Sequence, residues 1–385
     1  MHVCFVNMPI EFYSPVSGGA ISTIMMQAAK GLLRRGHEVM VLTPVDSNET
    51  YPVGRVVPLR IGQREEMSFV ARQWSRIRGR LQGWDWPYYD VYLRSFSQAL
   101  RALKPAPDVT CVFNDLVTQN YVRKVCPTAR RLVWLQNECR TRHSDMAGAL
   151  SAIDGFLTCS SYIAQWAKRQ FVISDEKIAV ANSGVDLEQF TPSENGRPHG
   201  GPLRVLFLGR IDPNKGPDLV ADAVAKLQEE GLAIELTMAG GTWFYRRGAD
   251  AEEPFFETLR EKVKRTGGKL LGHVVRADVP ALFRSHDVAC VLSRSNEPFG
   301  LVVLEAMASG CAVIASNRGG LPEAAGGAAA LLNPDDFSSV VDTLRRFATD
   351  RDCLVRYKRQ SLERASRASW ESTVDVFERV CRGTT

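Results

Sequence analysis

The sequence predicts an α/β protein made of two doubly wound parallel sheets in tandem, and three observations predict it. Short apolar runs alternate with segments of helical spacing along the chain. The alternation restarts near residue 203 in the same strand, loop and helix order. Between the two series lies TPSENGRPHGGP, residues 191–202, which is polar, rich in Pro and Gly and without hydrophobic period. Continuous apolar strands joined by helices imply parallel strands covered on both faces. A chain of 385 residues suits two cores better than one.

The elements follow in order. HVCFVNMP (2–9) reads as a buried strand, and Ser17-Gly18-Gly19-Ala20 as a turn. Ile21 to Arg35 carries Ile24, Met25, Ala28 and Leu32 at helical spacing, and Gly36 stops that helix before the strand HEVMVLTP (37–44). DVTCVF (108–113), RLVWLQN (131–137) and GFLTCSS (155–161) are further strands. In the second series LRVLFLGRI is a strand, Gly216 to Glu230 a helix, and AIELTMAGG (233–241) a strand. KLLGHV (269–274), DVACVLSRS (287–295) and CAVIASN (311–317) continue it. ASWESTVDVFERVCR (368–382) has helical spacing and is long enough to pack back across the linker. The expected division is 1–190, a linker at 191–202, 203–367, and a terminal helix in 368–385.

Composition excludes several classes. No apolar run of 18 residues exists, so a membrane-spanning helix is not expected. MHVCFVNMP enters a strand with no basic leader, which fits a cytoplasmic protein. The net charge of +5 suits an anionic ligand but is too small to argue nucleic acid. Nine cysteines without a CxxC pair read as reduced, mostly buried thiols.

Chemistry concentrates in SNEPFGLVVLEAMASGCAVIASNRGGLPE (295–323), where Glu297 and Glu305 flank the start of an apolar helix. Gly300 permits close approach of a ligand, and the N–H groups of Phe299, Gly300 and Leu301 form an anion site at the positive helix end. A carboxylate beside a phosphate is repulsive unless it faces hydroxyl groups, so the pattern suits a ligand with both. The alternative is a surface Glu297 and an ion-paired Glu305. In LFLGRIDPNKGPD (206–218), Arg210 and Lys215 sit in a strand-to-helix loop on the same expected sheet edge, where two cations would neutralise a diphosphate.

The ordered set of the Gly-Gly turn, NSGVDLEQF (182–190), LGRIDPNKG (208–216), MAGG (238–241), LGHV (271–274), EPFGLVVLEAMASG and GGLPE (319–323) resembles the retaining nucleotide-sugar glycosyltransferases of family 4, the sucrose synthase and bacterial mannosyltransferase type. The resemblance implies the GT-B fold, two Rossmann-like domains facing across a cleft. It implies Arg210 and Lys215 on the donor diphosphate and Glu297 at the sugar near the reacting carbon. Phe299, Gly300 and Leu301 would offer N–H groups, and Glu305 would accept from the ribose. His273 and Val274 would line the base pocket, and Gly18 and Gly19 would border the diphosphate. The donor would be a UDP- or GDP-linked sugar, with no cofactor and no metal.

One position departs from the family pattern. Where a histidine is usual, WLQNE places Gln136 and then Asn137. Glutamine bonds a hydroxyl but cannot titrate, which puts in doubt any general base there. Glu11 and Tyr13, in EFYSPVSGG, join Gln136 and Asn137 as expected acceptor contacts. The acceptor is a carbohydrate, a natural product or a lipid-linked hydroxyl. In REEMSFVARQWSRIRGRLQ (64–82), Met67, Val70, Trp74, Ile77 and Leu81 share helical spacing. The expected reading is a stripe packed on the sheet; a basic helix lying on an anionic membrane is the less favoured one. Rival functions are a nucleotide-sugar epimerase or hydrolase, or a non-catalytic nucleotide-sugar binding protein.

Overall fold

The computed structural model describes residues 1–16, 19–45, 49–61, 68–82, 89–139, 146–193, 201–241 and 254–383. The chain forms two compact units, residues 1–182 with 370–385, and residues 183–369. The division thus falls before 191–202. Val185 N–H donates to Ala368 O at 2.9 Å and Phe190 is buried 6.4 Å from the Phe283 ring, so residues 183–190 already belong to the second unit.

The first unit holds β1 (His2–Val6), β2 (Glu38–Pro44), β3 (Arg55–Leu59), β4 (Val109–Phe113), β5 (Arg130–Leu135), β6 (Gly155–Thr158) and β7 (Ile178–Val180). All pairs are parallel, in the order β3-β2-β1-β4-β5-β6-β7. Its helices are α1 (Ala20–Arg34), α2 (Phe69–Gln82), α3 (Tyr89–Ala102), α4 (Thr118–Val125), α5 (Met146–Ser151) and α6 (Ser161–Phe171). The second unit holds α7 (Pro217–Glu229), α8 (Pro254–Arg265), α9 (Val279–Arg284), α10 (Leu301–Ala308), α11 (Leu321–Ala325), α12 (Phe337–Thr349) and α13 (Arg351–Ser366). They flank β8 (Leu203–Leu208), β9 (Ile234–Ala239), β10 (Lys269–Leu270), β11 (Val288–Val291), β12 (Ala312–Ser316) and β13 (Ala330–Leu332). That sheet is also parallel, in the order β10-β9-β8-β11-β12-β13. Each sheet reverses its winding beside its first strand, and loops at the carboxyl ends of the strands next to that reversal are where such folds bind ligands.

The apolar runs are buried on both faces: Val3, Cys4, Phe5 and Val6 are fully covered, as are Val205 and Leu206. Burial also holds Cys4, Cys111, Cys159 and Cys290 away from solvent, and none of the nine cysteines is in a disulfide. In the second unit, burial disfavours an ionised Asp287. Hydrogen bonds from Arg204 Nε at 3.0 Å and Lys358 Nζ at 2.7 Å outweigh it and hold the carboxyl at about 2.

After α13 the chain re-enters the first unit as α14 (Trp370–Cys381). There Phe377 packs against Phe5 and Trp134 at ring separations of 5.4 and 5.7 Å. Arg35 reaches Glu371, Asp375 and Glu378 at 2.7–2.9 Å, and His37 Nε2 lies 2.5 Å from Glu378.

The α2 helix corrects the expected packing. Val70, Trp74 and Ile77 are 63, 65 and 49 % exposed, while Ser75 on the other side is buried with its hydroxyl bonded to Asp90 of α3. The reason is that α3 already covers this part of the sheet through Tyr92, Leu93, Phe96 and Leu100, so α2 docks outside it by a polar contact. Met67 lies outside the described residues. No described helix is long and apolar enough to cross a membrane.

Candidate active site

In the second unit the loops after β8, β9 and β10 are tied backbone to backbone. Ile211 N–H donates to Gly241 O at 2.9 Å and Gly240 N–H to Gly272 O at 2.7 Å. The motifs LGRI, MAGG and LGHV therefore share one sheet edge. The loop after β8 makes a short turn at Pro213–Lys215, capped by Asp212, whose Oδ1 accepts from Asn214 N–H at 2.8 Å. Arg210 Nη2 lies 3.3 Å from Asp212 Oδ2.

The loop after β11 brings Glu297 to that turn. Glu297 Oε1 accepts from Lys215 Nζ and from Ser293 Oγ, the latter at 2.5 Å. Two residues 82 positions apart thus form the ion pair at the centre of this edge. Arg294, which sequence reasoning missed, clamps the two loops together. Its guanidinium meets both Asp218 oxygens at 2.8 and 2.6 Å and the Pro213 carbonyl at 2.6 Å, and its own N–H bonds Asn214 O at 2.7 Å. The Asp218 carboxylate also binds the Arg294 proton more firmly. The only signal in sequence was an arginine near the end of the apolar run DVACVLSRS.

Glu297 is held from below by GGLPE. Gly320 N–H donates to Glu297 O at 2.6 Å. Gly319 has φ +60°, and a Cβ there would lie 2.2 Å from Glu297 O and 2.6 Å from Glu297 N. The backbones approach so closely that only glycine fits. Next in the loop, Phe299 is buried and Gly300, at φ +101°, turns the chain into α10. The Leu301 N–H, first in α10, has no α-helical acceptor before it and sits at the positive end of the helix dipole, while the Val303 N–H turns back to Gly300 O at 3.0 Å.

Glu305 lies in the second turn of α10 and is 5 % exposed. Its Oε1 accepts from Arg276 Nη2 at 2.5 Å. His273 is exposed and Val274 half-buried, just after β10. The sequence placed Arg210, Lys215, Glu297 and Glu305 on one edge; the structure pairs Lys215 with Glu297 and gives Glu305 an arginine that the sequence did not flag.

In the first unit, Gly18 lies outside the described residues. Gly19 N–H donates to Glu11 Oε1 at 2.6 Å, and Ser22 N–H to the same oxygen at 3.3 Å. Glu11 therefore serves the N-terminus of α1, where a carboxylate offsets the helix dipole. Tyr13, expected among the acceptor contacts, is fully buried, with its hydroxyl on Val53 O at 2.9 Å and its ring beside Tyr51. It belongs to the core because its ring packs on Tyr51 and a backbone carbonyl satisfies its hydroxyl.

At the carboxyl ends of β4 and β5, Asn114 adopts φ +52°. Its Oδ1 accepts from Gln136 N–H at 2.6 Å and Asn137 N–H at 3.2 Å. Asn137 is exposed. Gln136 is 4 % exposed, and its Nε2 has no hydrogen-bond acceptor among the described residues. Asp115 next door is spent on structure. Burial pushes its carboxyl up, against hydrogen bonds from Tyr89, Thr118 and the Val117 N–H.

Comparisons with known proteins agree with this architecture. A model described as Glycosyltransferase Family 4 matches residues 18–189, and one described as Glycosyl transferases group 1 matches residues 190–368. Spore coat protein SA of Bacillus subtilis is 25 % identical, over 94 % of this chain and 96 % of its own. Phosphatidyl-myo-inositol mannosyltransferase of Mycolicibacterium smegmatis is 27 % identical, over 95 % and 90 %. Among solved structures, sucrose-phosphate synthase from Thermosynechococcus elongatus superposes with a TM-score of 0.74 at 19 % identity, covering 99 % of this chain and 98 % of the other. HepE of Anabaena in complex with UDP and glucose gives 0.71 at 17 % identity, covering 99 % of each. Two parallel-sheet α/β units and two adjoining family matches that span the chain from residue 18 to 368 lead to one conclusion: the chain is an enzyme that belongs to the GT-B glycosyltransferases of the family 4 type.

Proposed function

We propose that the protein moves a sugar from a nucleoside-diphosphate sugar to an acceptor hydroxyl with retention of anomeric configuration and without a metal. The observation that carries this reading is the Lys215–Glu297 ion pair beside the α10 N-terminus, with Arg210 in the same loop as Lys215 and Glu305 one turn further along α10. A nucleotide sugar needs cations and N–H donors for its diphosphate and carboxylates for its hydroxyl groups, and this edge supplies both. HepE, solved with UDP and with UDP-glucose, has the same fold.

In the proposed reaction the bond from the sugar C1 to the diphosphate oxygen breaks through an oxocarbenium-like state. The acceptor oxygen bonds to C1 from the same face, and its proton passes to the departing phosphate. Arg210, Lys215 and the N–H groups at Phe299, Gly300 and Leu301 stabilise the charge that develops on the leaving diphosphate. Two protein cations do the work that a divalent ion does in other designs. Glu297 orients the sugar and balances positive charge near C1. Glu305 receives the ribose, and the backbone around His273 and Val274 receives the base. No side-chain base is required, which suits a glutamine at position 136. The Gln136 Nε2, which has no acceptor among the described residues, and the exposed Asn137 are the acceptor-side groups. Gly19, through its bond to Glu11, fixes the start of α1.

The test is a thermal-shift panel with UDP, GDP, ADP, dTDP and their sugar conjugates, with and without EDTA. A ligand that binds only the folded state adds about 2.7 kcal/mol at a hundred times its Kd. One nucleotide should give an EDTA-insensitive shift, and Lys215→Ala should shrink it. A shift that vanishes with EDTA would sink metal independence. No shift with any nucleotide would sink the donor assignment.

For the acceptor, α2 favours a lipid-linked hydroxyl at an anionic membrane over a soluble one. FVARQWSRIRGRLQ carries four arginines and no acidic residue, and its Val70, Trp74 and Ile77 point into solvent. Exposed aliphatic and Trp side chains on a basic helix are the composition of interfacial helices, and each nearby arginine adds about 1 kcal/mol at an anionic surface. One full-length relative is named for a mannosyltransferase that acts on phosphatidyl-myo-inositol. In a flotation assay the protein should bind phosphatidylglycerol vesicles and not neutral phosphatidylcholine ones. Trp74→Glu with Ile77→Glu should cut that binding at least tenfold. Failure of the unaltered protein to float with anionic vesicles would return the acceptor to the soluble class.

A further inference from the structure

We propose that Arg276 is a positioning residue for nucleotide selection, one that holds the Glu305 carboxylate by a single oxygen and so presents the other to the ribose. This rests on the reading that Glu305 receives the ribose. Arg276 opens a short turn, Arg276–Asp278, just after β10 and the residues assigned to the base. Its Nη2 lies 2.5 Å from Glu305 Oε1, and its guanidinium lies over the Phe190 ring at 5.0 Å from the centroid. Phe190 is itself 1 % exposed and packed beside Phe283, so the aromatic platform is fixed.

The geometry has three consequences. A guanidinium stacked on a buried ring has lost most of its conformational freedom, and little further ordering is needed to make the ion pair. Glu305 sits in a helix, 94 % removed from solvent at its side chain, where a carboxylate without a cation would be costly. Of the two Glu305 oxygens Arg276 meets Oε1, and Oε2 has no protein partner among the described residues. Oε2 is left to accept from a hydroxyl group, and its direction is set by the arginine. A ribose offers two adjacent hydroxyl groups; a deoxyribose offers fewer. Arg276 therefore acts on the ability to tell ribonucleotides from deoxyribonucleotides, through a residue that it touches rather than through the ligand.

The experiment measures by calorimetry the Kd of the nucleoside diphosphate that stabilises the protein and of its 2′,3′-dideoxy form. It uses the unaltered protein, Arg276→Ala and Arg276→Lys, with the melting temperature of each recorded. The unaltered protein should prefer the ribose form at least tenfold. Arg276→Ala should bind the ribose form about tenfold more weakly and the dideoxy form nearly as before, so that the preference collapses. Arg276→Lys, which keeps the charge, should restore part of it. An equal loss for both ligands would overturn the proposal and make Arg276 a general support of the site. Tighter binding of the ribose form by Arg276→Ala would overturn it differently, showing the arginine to be a competitor for Glu305. An unaltered protein that does not discriminate, or that binds no nucleotide, would instead remove the ribose role of Glu305, and the proposal with it.

Discussion

Glu297→Gln is expected to lower kcat by about 100-fold or more while leaving nucleoside-diphosphate affinity unchanged or slightly raised. The side chain is held between Lys215 and Ser293, so a glutamine of the same size keeps its place and its bond to the serine hydroxyl. What it loses is charge. In the proposed reaction, that charge balances the positive carbon formed as the glycosidic bond stretches, and its loss appears in the transition state rather than in binding. Taking a negative group away from Lys215 also leaves the cation free for the diphosphate, which is why affinity does not fall. Steady-state kcat and calorimetric Kd for the nucleotide decide the matter together. A rate within twofold of the unaltered enzyme would remove Glu297 from the chemistry.

Gly319→Ala is expected to lower stability by on the order of 3 kcal/mol and to abolish most activity. The new methyl group would lie inside the contact distance of both Glu297 O and Glu297 N, on a residue at φ +60°. One part of the cost is conformational and the other is displacement of the Glu297 loop. Gly231→Ala separates them. Gly231 has φ +85°, but nothing lies within 4 Å of a Cβ there, so its substitution costs only about 1 kcal/mol and leaves kcat alone. Melting temperature and kcat are measured for both variants. Equal effects in the two would show that the close approach beneath Glu297 has no consequence for catalysis.

Much of this architecture was legible in the chain because buried parallel strands are nearly continuous apolar runs. Val3 to Val6 and Val205 to Leu208 declare themselves by composition alone. Two of the strands at the sheet edges do not. Arg55–Leu59 is half-buried, short and interrupted by Pro58, and Ala330–Leu332 has three residues. Periodicity likewise identified α2 as a helix but not its inward face, since a stripe of Val70, Trp74 and Ile77 has the same spacing whether it meets core or water. The candidate site divides in the same way. Glu297, Glu305, Arg210 and Lys215 carry their chemistry in local motifs. Arg276 and Arg294 do not, because their meaning lies in partners 29 and 76 positions away, which only folding brings near.

The return of α14 to the first unit has a consequence for how the protein is made. Phe5, Phe113 and Trp134 leave the ribosome early, yet the Phe377 ring that packs on Phe5 and Trp134 is translated only after the whole of residues 183–369. At ordinary elongation rates that interval is on the order of ten to forty seconds. Through that time the nascent first unit carries an apolar groove with nothing to fill it, while the second unit, continuous in sequence, can complete its core as it emerges. Translation therefore finishes the inserted unit before the unit that surrounds it. A chain ending at residue 369 would hold one mature core and one still open to chaperones.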